Sequence, residues 1–540
     1  MNARADTPSA AAADQYDWRR GVGCAVVSVF IGLSQGLTIW GVNNNLGALQ
    51  GALGATAAEA SWLSTAYFAT AVSAIALLTK MRLQYGLVRF ANWSLAAFVV
   101  VSVLYLAAPN LGSAIALRAA VGFTAAPLST LANFYMMQAL PPRFATAGLI
   151  LGFGTLQLGS PLARIIAEPL FDLTPGHGLQ LFDLALALVT LAGINAVPLR
   201  SPPLRQVFKP GDVPLFVLYA AGLALLCIVL GQGRIRWWTD TPWLGVCLAA
   251  GIVCLAAFAL IELWREHPLI DLRWIAGTPM WHFIVGVLMF RVVLSEQPVG
   301  AVSLLNVLGL NNDEMHTLFC CVMAGTAFGF LVSVGANALR ALRLSLLAAL
   351  ALGVVAALID AQSTSLTRAP QVFVSQTLVA IATAQFLAAS LVLGLLPVLQ
   401  QDGGKYLVSF LAMFSGAQNM GSLIGSAWLG TFVDDRQKLY LSHLGGTLTL
   451  ADPRTAARVA QGAAVQAGTI LDGGDRGSLG VAALARSAAR EAWVLAYDDL
   501  FRRIALLAAI TFVGLSIYWG IGWWRGRSAT ATAVTSASRA

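Results

Sequence analysis

Apolar runs of membrane-spanning length recur from one end of this 540-residue chain to the other. A helix needs about 20 predominantly apolar residues to cross the hydrocarbon core of a bilayer. The sequence therefore predicts an all-α polytopic membrane protein with fourteen transmembrane helices. Their predicted bounds are 21–41, 60–79, 91–108, 112–137, 146–168, 180–198, 213–231, 243–264, 281–305, 316–337, 344–361, 371–398, 407–432 and 503–524.

The composition fits a chain that is mostly out of contact with water. Hydrophobic residues make up 58% and charged residues 11% of the sequence, whereas a soluble domain carries about 25% charged residues. The formal net charge is +8, but the basic residues are spread thinly through short loops, which argues against nucleic acid as a partner. The six cysteines lie in apolar stretches without metal-ligand spacing to histidine, so we predict no metal site and no cofactor.

Lysine and arginine are distributed unequally between alternate loops. With a cytoplasmic N-terminus, the loops on that side hold 18 of the 33 basic residues, and the six short loops opposite hold three. Short cytoplasmic loops are enriched in basic residues, so we expect an N-tail 1–20 and a C-tail 525–540 in the cytoplasm. The segment 434–500 is then outside the membrane, with two short helices at 453–467 and 479–497.

Four local motifs, in chain order, resemble those of one transporter family. Residues 61–67 (SWLSTAY) are similar to W-x-x-T-x-Y, and residues 118–122 (RAAVG) to R-x-x-x-G. Residues 266–272 (EHPLIDL) are similar to H-P-L-L-D-L, and residues 496–501 (AYDDLF) to A-Y-x-D-x-F. Together they resemble the fourteen-span drug:proton antiporter branch of the major facilitator superfamily.

The resemblance implies a fold and a function. It implies two six-span halves, 21–198 and 281–524, with two extra spans and linkers in 199–280 between them. It also implies a transporter of the bacterial inner membrane that exports small drug-like, amphiphilic or anionic compounds by alternating access, driven by protons. The expected partners are the substrate, protons and the lipid bilayer, and bacterial transporters of this kind often join a periplasmic adaptor protein.

Three motifs of the family are altered here. The span-5 motif G-P-x-x-G-G appears as residues 160–164 (SPLAR). The branch usually carries an acidic residue in its first span, where this chain has residues 34–38 (SQGLT). The loop between spans 2 and 3 keeps Gly86, and Arg89 lies one position beyond the last arginine of the family pattern. If export is proton-driven, another carboxylate must bind the proton.

Charged side chains within spans are functional candidates, because each costs about 2.5–3.5 kcal/mol on insertion scales. Arg118 either bonds helix carbonyls or takes part in proton relay or substrate recognition. Arg164 and Glu168 are four residues apart and share a helical face. They form either a permanent ion pair at the outer gate or a site at which Glu168 takes up protons.

Arg291 and Glu296 are five residues apart, so they point to different faces of their helix and each needs a partner on another helix. Glu296 is the preferred proton carrier for that reason, with a cavity-lining role as the alternative. Asp183, Glu262 and Asp360 lie within about a turn of their span ends and are predicted to be interfacial.

Amides and small residues complete the candidates. Amides within spans either line the substrate cavity or bond a neighbouring helix; they are Gln157, Gln376, Gln385, Gln418 and Asn419. All of these except Gln376 are the candidates for the substrate cavity. Gly421 and Gly425 form a G-x-x-x-G pattern, which permits close helix approach and is also ordinary packing. The predicted conformational motif comprises Gly86, Arg89, Gly122, Pro161, Gly421 and Gly425.

Two alternative functions stay open at this point. A facilitator or importer with the same fold would show the same pattern of spans. A membrane-embedded enzyme acting on lipid would need a His, Asp or Ser cluster at one interface, which the sequence does not show. We therefore predict that the protein is not an enzyme. No phosphate-binding Walker loop is found either, which argues against ATP-driven pumping by this chain.

Overall fold

The computed structural model describes most of the chain. The described residues are 17–108, 110–167, 169–170, 177–200, 209, 211–266, 268–277, 280–400, 406–465 and 473–537. Long apolar stretches form the helices, and polar residues close their first turns. Thr56, for example, caps the third helix and exchanges hydrogen bonds with Glu59 in a capping box.

The N-terminal half comprises eight described helices. They are α1 (Trp18–Asn43), α2 (Leu46–Leu53), α3 (Ala57–Tyr85), α4 (Leu87–Leu106), α5 (Leu111–Ala139), α6 (Ala145–Gln157), α7 (Gly159–Ile165) and α8 (Gly178–Ala196). α5 packs against α1, α3, α4 and α6. It therefore forms the centre of this half.

The C-terminal part follows two intervening helices, α9 (Asp212–Arg236) and α10 (Pro242–Trp264). Its described helices are α11 (Leu272–Gly277), α12 (Met280–Val293), α13 (Val302–Val307), α14 (His316–Ala338), α15 (Leu342–Asp360), α16 (Phe373–Gln400), α17 (Leu407–Thr447), α18 (Pro453–Val465) and α19 (Gly473–Ala537). α16 packs against α14 and α15, and α17 against α12 and α19.

Twelve of the described helical segments are long and apolar enough to cross a membrane. They confirm a polytopic all-α protein with many spans. The predicted spans 146–168 and 407–432 are not among the twelve: the first is divided between α6 and α7, and the second is the beginning of α17. The number fourteen therefore stays a prediction.

α17 and α19 are much longer than a bilayer requires. α17 has 41 residues and α19 has 65, or roughly 60 and 100 Å at 1.5 Å per residue, against a hydrocarbon core of about 30 Å. Both project beyond the bundle and, with α18, form the segment that we call the protrusion. The predicted short helix 479–497 is therefore not separate: it is continuous with the last span in α19.

Two faces of the bundle are named from these features. The tail face is the face at which α1 begins, and the protrusion face is the one from which α17 and α19 project. α9 packs along α3 in the N-terminal half and also contacts α17. Between the two halves, α6 and α7 contact α14. A cavity at this position is therefore lined by residues of both halves.

Candidate functional site: a cavity between the two halves

A cavity lies between the two halves. Its N-terminal wall comes from α1, α6 and α7 and includes Trp40, Gln157 and Arg164. Its C-terminal wall comes from α12, α13 and the π-helical turn between them, and from α14, α16 and α17, and includes Arg291 and Phe319. None of the described residues that line it is acidic, so the charge that these residues present is positive.

Arg164 spans the cavity at its protrusion end. Its two terminal nitrogens donate to Asn312 Oδ1 at 3.0 Å and to Asn44 Oδ1 at 3.3 Å. The guanidinium also lies 5.0 Å from the centre of the Phe319 ring. Asn312 in turn donates to Asn45 Oδ1 at 2.8 Å. These contacts join the two halves on one side of the cavity.

The predicted partner of Arg164 lies outside the described residues. Glu168 is not placed, so the ion pair between them stays a prediction. On the tail face, the halves are joined by Asn337, which donates to Thr146 Oγ1 at 3.0 Å. Contacts between the halves therefore occur at both ends of the cavity.

The helix that carries Arg291 and Glu296 is broken. α12 ends at Val293, residues Gln297–Ala301 form a π-helical turn, and α13 begins at Val302. Pro298, which has no amide hydrogen, lies within that turn. π-Helical turns inside longer helices are frequent at functional sites.

Arg291 and Glu296 point in different directions, as their spacing predicts. Arg291 lines the cavity, and its Nε has no hydrogen-bond partner. Glu296 is 2% exposed and is not part of the cavity wall. Its Oε1 accepts a hydrogen bond from Gln376 Nε2 on α16 at 3.2 Å, and its Oε2 has no hydrogen-bond donor among the described residues. The expected partner on another helix is therefore an amide.

Two carboxylates predicted to be interfacial are instead buried. Asp360 ends α15 but is 1% exposed, and it accepts hydrogen bonds from Ser375 and from Gln376, the latter at 2.8 Å. Glu262 is 2% exposed and accepts the Leu269 amide at 2.7 Å. Distance from a helix end is a poor guide here, because a loop residue, Leu269, covers Glu262 and the first turn of α16 covers Asp360. Asp183 is half-buried.

Arg118 lies inside the N-terminal half and is 1% exposed. Its guanidinium donates to the Thr38 carbonyl and, at 3.4 Å, to the Ile39 carbonyl of α1. It also lies 4.8 Å from the centre of the Tyr67 ring. These contacts agree with the alternative in which Arg118 bonds helix carbonyls. They lie at the end of residues 34–38, the stretch in which the acidic residue usual for the family is absent.

The predicted cavity amides divide into two groups. Gln157 lines the cavity, whereas Gln385, Gln418 and Asn419 are not among its lining residues. Asn419 bonds within its own helix, to the Ser415 carbonyl at 3.0 Å. Gln418 is 8% exposed and neither of its amide atoms has a partner.

The predicted conformational residues in the N-terminal half have different surroundings. Gly86 has φ 85° and ψ 157° between α3 and α4, a conformation that only glycine adopts readily. Arg89 beside it is exposed. A Cβ on Gly122 would lie 2.4 Å from the Tyr67 carbonyl oxygen, so α5 approaches α3 closely at this point. Pro161 is buried in α7 and lines the cavity.

The G-x-x-x-G pattern on α17 faces α12. A Cβ on Gly421 would lie 2.8 Å from Arg291 Cβ, and one on Gly425 would lie 2.4 Å from Ser295 Oγ. The two glycines therefore bring α17 against the helix that carries both Arg291 and Glu296.

Two sets of contacts made by the intervening helices were missed by sequence reasoning, one polar and one aromatic. Gln232 of α9 is fully buried and donates to Ser61 and Thr65, at 2.9 and 3.0 Å. Trp62 stacks on Trp243 of α10, with ring centres 6.2 Å apart. Residues of the W-x-x-T-x-Y motif therefore hold the extra helices α9 and α10 against α3. The position of the motif at the start of a span could have suggested such a packing role.

The fold is that of the major facilitator superfamily. The structure matches a bacterial homologue of the human drug peptide transporters PepT1 and PepT2 with TM-score 0.56, over 93% of this chain and 98% of that one, at 11% identity. It also matches the proton:xylose symporter XylE with TM-score 0.51, over 91% and 95%, at 12% identity. At these identities the likeness concerns the fold alone.

Relatives in sequence point to one branch. The chain is 24% identical to Fatty acid resistance protein FarB of Neisseria gonorrhoeae over 261 residues, which is 48% of this chain and 51% of that protein. It is 25% identical to Multidrug export protein EmrB of Haemophilus influenzae over 232 residues, 42% and 44%. The chain thus spans about half the length of the curated relatives it matches. No family model matches, but these comparisons confirm the predicted resemblance to EmrB-like transporters.

Proposed function

We propose that this protein exports small anionic or amphiphilic compounds across a bacterial inner membrane by alternating access, in exchange for protons. The observation that carries the proposal is the cavity between the halves, into which Arg164 and Arg291 bring two cationic groups. Such groups in a low-dielectric cavity favour a substrate with an anionic end, and the apolar lining favours a hydrophobic remainder. One relative is named a fatty acid resistance protein, and fatty acids are anionic amphiphiles.

Glu296 is the proton carrier in this proposal. It is buried, has an oxygen without a hydrogen-bond partner, and makes no ion pair with any described residue. A buried carboxylate without a cation is costly unless it is protonated. Glu168 is the second candidate from the sequence.

The orientation follows from the unequal distribution of basic residues. In this proposal the tail face and both termini are cytoplasmic, and the protrusion lies in the periplasm. A periplasmic adaptor protein is the further partner implied by the family resemblance, and the protrusion is the largest described part of the chain beyond the bilayer.

Transport in proteoliposomes tests the proposal. A naphthalenesulfonate dye stays anionic at any working pH, so a pH gradient does not redistribute it passively. With the membrane potential clamped by potassium and valinomycin, an acidic lumen should drive the dye into the lumen through the protein. Ethidium, a planar cation, is the matched control and should accumulate much less.

Each alternative has its own outcome. Equilibration without accumulation would identify a facilitator, and accumulation only when the lumen is alkaline would identify an importer. Glu296→Gln should abolish the gradient-driven part while dye binding to the purified protein persists.

A further inference from the structure

A second buried carboxylate lies beside Glu296. The Gln376 Nε2 atom donates to Glu296 Oε1 at 3.2 Å and to Asp360 Oδ2 at 2.8 Å. An amide nitrogen carries two hydrogens, so one is directed at each acid. The Ser375 hydroxyl donates to the other oxygen of Asp360. Both carboxylates are thus held in the protein interior on either side of one nitrogen.

No cation compensates this pair in the described part of the chain. Arg291, on the same broken helix, points into the cavity, and no described ion pair includes Glu296 or Asp360. Asp434 of α17 is bound by Arg234, and the Arg368 side chain donates to the Thr367 carbonyl. The cations Arg436 and Arg502 on α17 and α19 lie 3.5 and 3.9 Å from Asp499. Lys438 and Arg503 lie over the rings of Trp237 and Phe432. Further titratable groups on the surrounding helices include His316, Tyr440, Tyr497 and Asp498.

Two ionised carboxylates in this arrangement would repel each other strongly, because little water screens them. A proton on one acid removes that repulsion and leaves the neutral acid able to donate to its neighbour. Glu296 Oε2, which has no partner, is an available position for that proton. The amide of Gln376 keeps the two carboxyl groups in the same positions whether or not one of them is protonated.

We propose that Glu296 and Asp360, bridged by Gln376, form a single proton-binding unit behind the cavity wall. This inference rests on the proposed function for its role in transport, and it adds Asp360 as the second proton-binding residue. Asp360 ends α15 at the protrusion face, whereas Glu296 lies within the broken helix. Protons therefore enter from that face through Asp360 and reach Glu296.

The position of the unit separates protons from substrate. Ser295, Gln297 and Pro298 line the cavity, whereas Glu296 between them does not. Proton binding therefore acts on the substrate through the π-helical turn and not by competition for the same residue. Gly300 in that turn leaves room for the arrangement: a Cβ there would lie 2.7 Å from the Phe501 ring and 3.3 Å from Glu296 Oε1.

An infrared titration of the full-length protein in nanodiscs tests the unit without any substrate. The carbonyl stretching band of protonated carboxyl groups is followed against pH for the parent protein, Glu296→Gln, Asp360→Asn and the double variant. We expect each single variant to change the pH at which the other acid titrates, so that the two single difference spectra do not add up to the double one. Additive spectra, or an Asp360→Asn spectrum that leaves the remaining band unchanged, would overturn the proposal.

Two further variants keep the test independent of folding defects. Gln376→Leu removes the shared donor with both acids present and should shift the titration of both acids together. Asp313→Asn, an exposed acid on the same face, should leave the coupling intact. Should a Glu296 variant fail to fold, Asp360→Asn and Gln376→Leu still decide the question.

Transport then distinguishes this inference from the proposed function. In the dye assay, Asp360→Asn should reduce gradient-driven accumulation about tenfold, within the usual range for coupling between two binding sites, and should flatten its pH profile. If the parent protein exports the dye in response to the gradient and Asp360→Asn shows the same pH profile, only the role of Asp360 in transport is refuted. If the infrared titrations of the two acids are coupled but the parent protein does not transport the dye, only the proposed function is refuted.

Discussion

Lys80, near the end of α3, donates to Asp212 Oδ2 at 3.1 Å, and both side chains are almost completely buried. Asp212 begins α9 and also pairs with Arg265 at 3.0 Å. Arg265 in turn lies 3.3 Å from Glu262. The extra helices α9 and α10 are therefore tied to the N-terminal half at the tail face by alternating charges, in addition to the Gln232 contacts further along α3.

The charges around Asp212 predict which substitutions lower thermal stability most. Asp212→Asn leaves Lys80 without its anion and Arg265 with Glu262 alone, whereas Lys80→Met leaves Asp212 paired with Arg265. Removing one partner of a buried pair costs about 3–5 kcal/mol, so Asp212→Asn should lower the midpoint of thermal unfolding more than Lys80→Met. The double variant should be less damaging than the two single effects added together. The exposed Asp240→Asn is the control, and equal shifts for Asp212→Asn and Asp240→Asn would contradict the prediction.

A second prediction concerns the contact between α17 and α12. Gly425→Ala places a methyl group 2.4 Å from Ser295 Oγ and 3.0 Å from Val292 Cα, and overpacking of this kind costs about 1–3 kcal/mol. Because Ser295 provides the closest atom, Ser295→Ala should partly restore thermal stability to Gly425→Ala. Gly416→Ala, where a Cβ meets nothing within 4 Å, should be neutral. A Gly425→Ala protein as stable as Gly416→Ala would show that the helices do not approach this closely.

A third prediction concerns orientation. A reporter fused after Ala540 should be active in the cytoplasm. A protease site inserted after Leu450, which is 65% exposed between α17 and α18, should be cut from the periplasmic side of intact spheroplasts. Activity of the fused reporter only outside the cytoplasm would reverse the assignment of the two faces.

The fold could be predicted from the sequence because each span is marked by a long run of apolar residues. Apolar runs of membrane length predict spans without knowledge of their packing, and every predicted run falls on a described helix or helix pair, apart from residues outside the described part. The break at Leu158 has a cause that the sequence shows, because Pro161 has no amide hydrogen to bond the preceding turn. The close packing at this point could not be predicted: Cβ atoms placed on Gly36 and Gly159 would collide with the opposing backbone. Such approaches join residues more than a hundred positions apart.

The candidate site was only partly accessible from sequence. Periodicity placed Arg291 and Glu296 on different faces, which the structure confirms. It could not show that Gln376 bridges Glu296 to Asp360, because that contact depends on how α12, α15 and α16 pack. It also gave no signal for Asn312, a loop residue that becomes a partner of Arg164 only when the halves meet.

A fourth prediction concerns Arg164 and Glu168. If they pair, Glu168→Gln should reduce dye transport more than the double variant Arg164→Gln/Glu168→Gln, because the single change leaves an unpaired buried cation. Strictly additive losses in this double-mutant cycle would argue against the pair and would leave Arg164 free to act on the substrate.

The last prediction separates the charge of Arg164 from its bridging geometry. Its guanidinium contacts Asn44 of one half and Asn312 of the other with two different nitrogens. A lysine carries the same charge as a single ammonium on a flexible stem and cannot reproduce that planar fork. Arg164→Lys should therefore keep the affinity for the anionic dye within about twofold while slowing transport, because the contact that closes the protrusion end is lost.

Arg164→Gln removes both the charge and the fork, so it should weaken dye binding about tenfold or more, as the loss of one charge-assisted contact of about 1.5–3 kcal/mol implies. Fluorescence titration of the purified protein gives the affinity, and proteoliposome flux gives the rate. Asn312→Ala, which removes a bridging partner and no charge, should behave like Arg164→Lys. If Arg164→Lys and Arg164→Gln lose affinity equally while Asn312→Ala is unaffected in rate, then Arg164 recognises substrate through its shape, and the contact between the halves plays no part in closing the cavity.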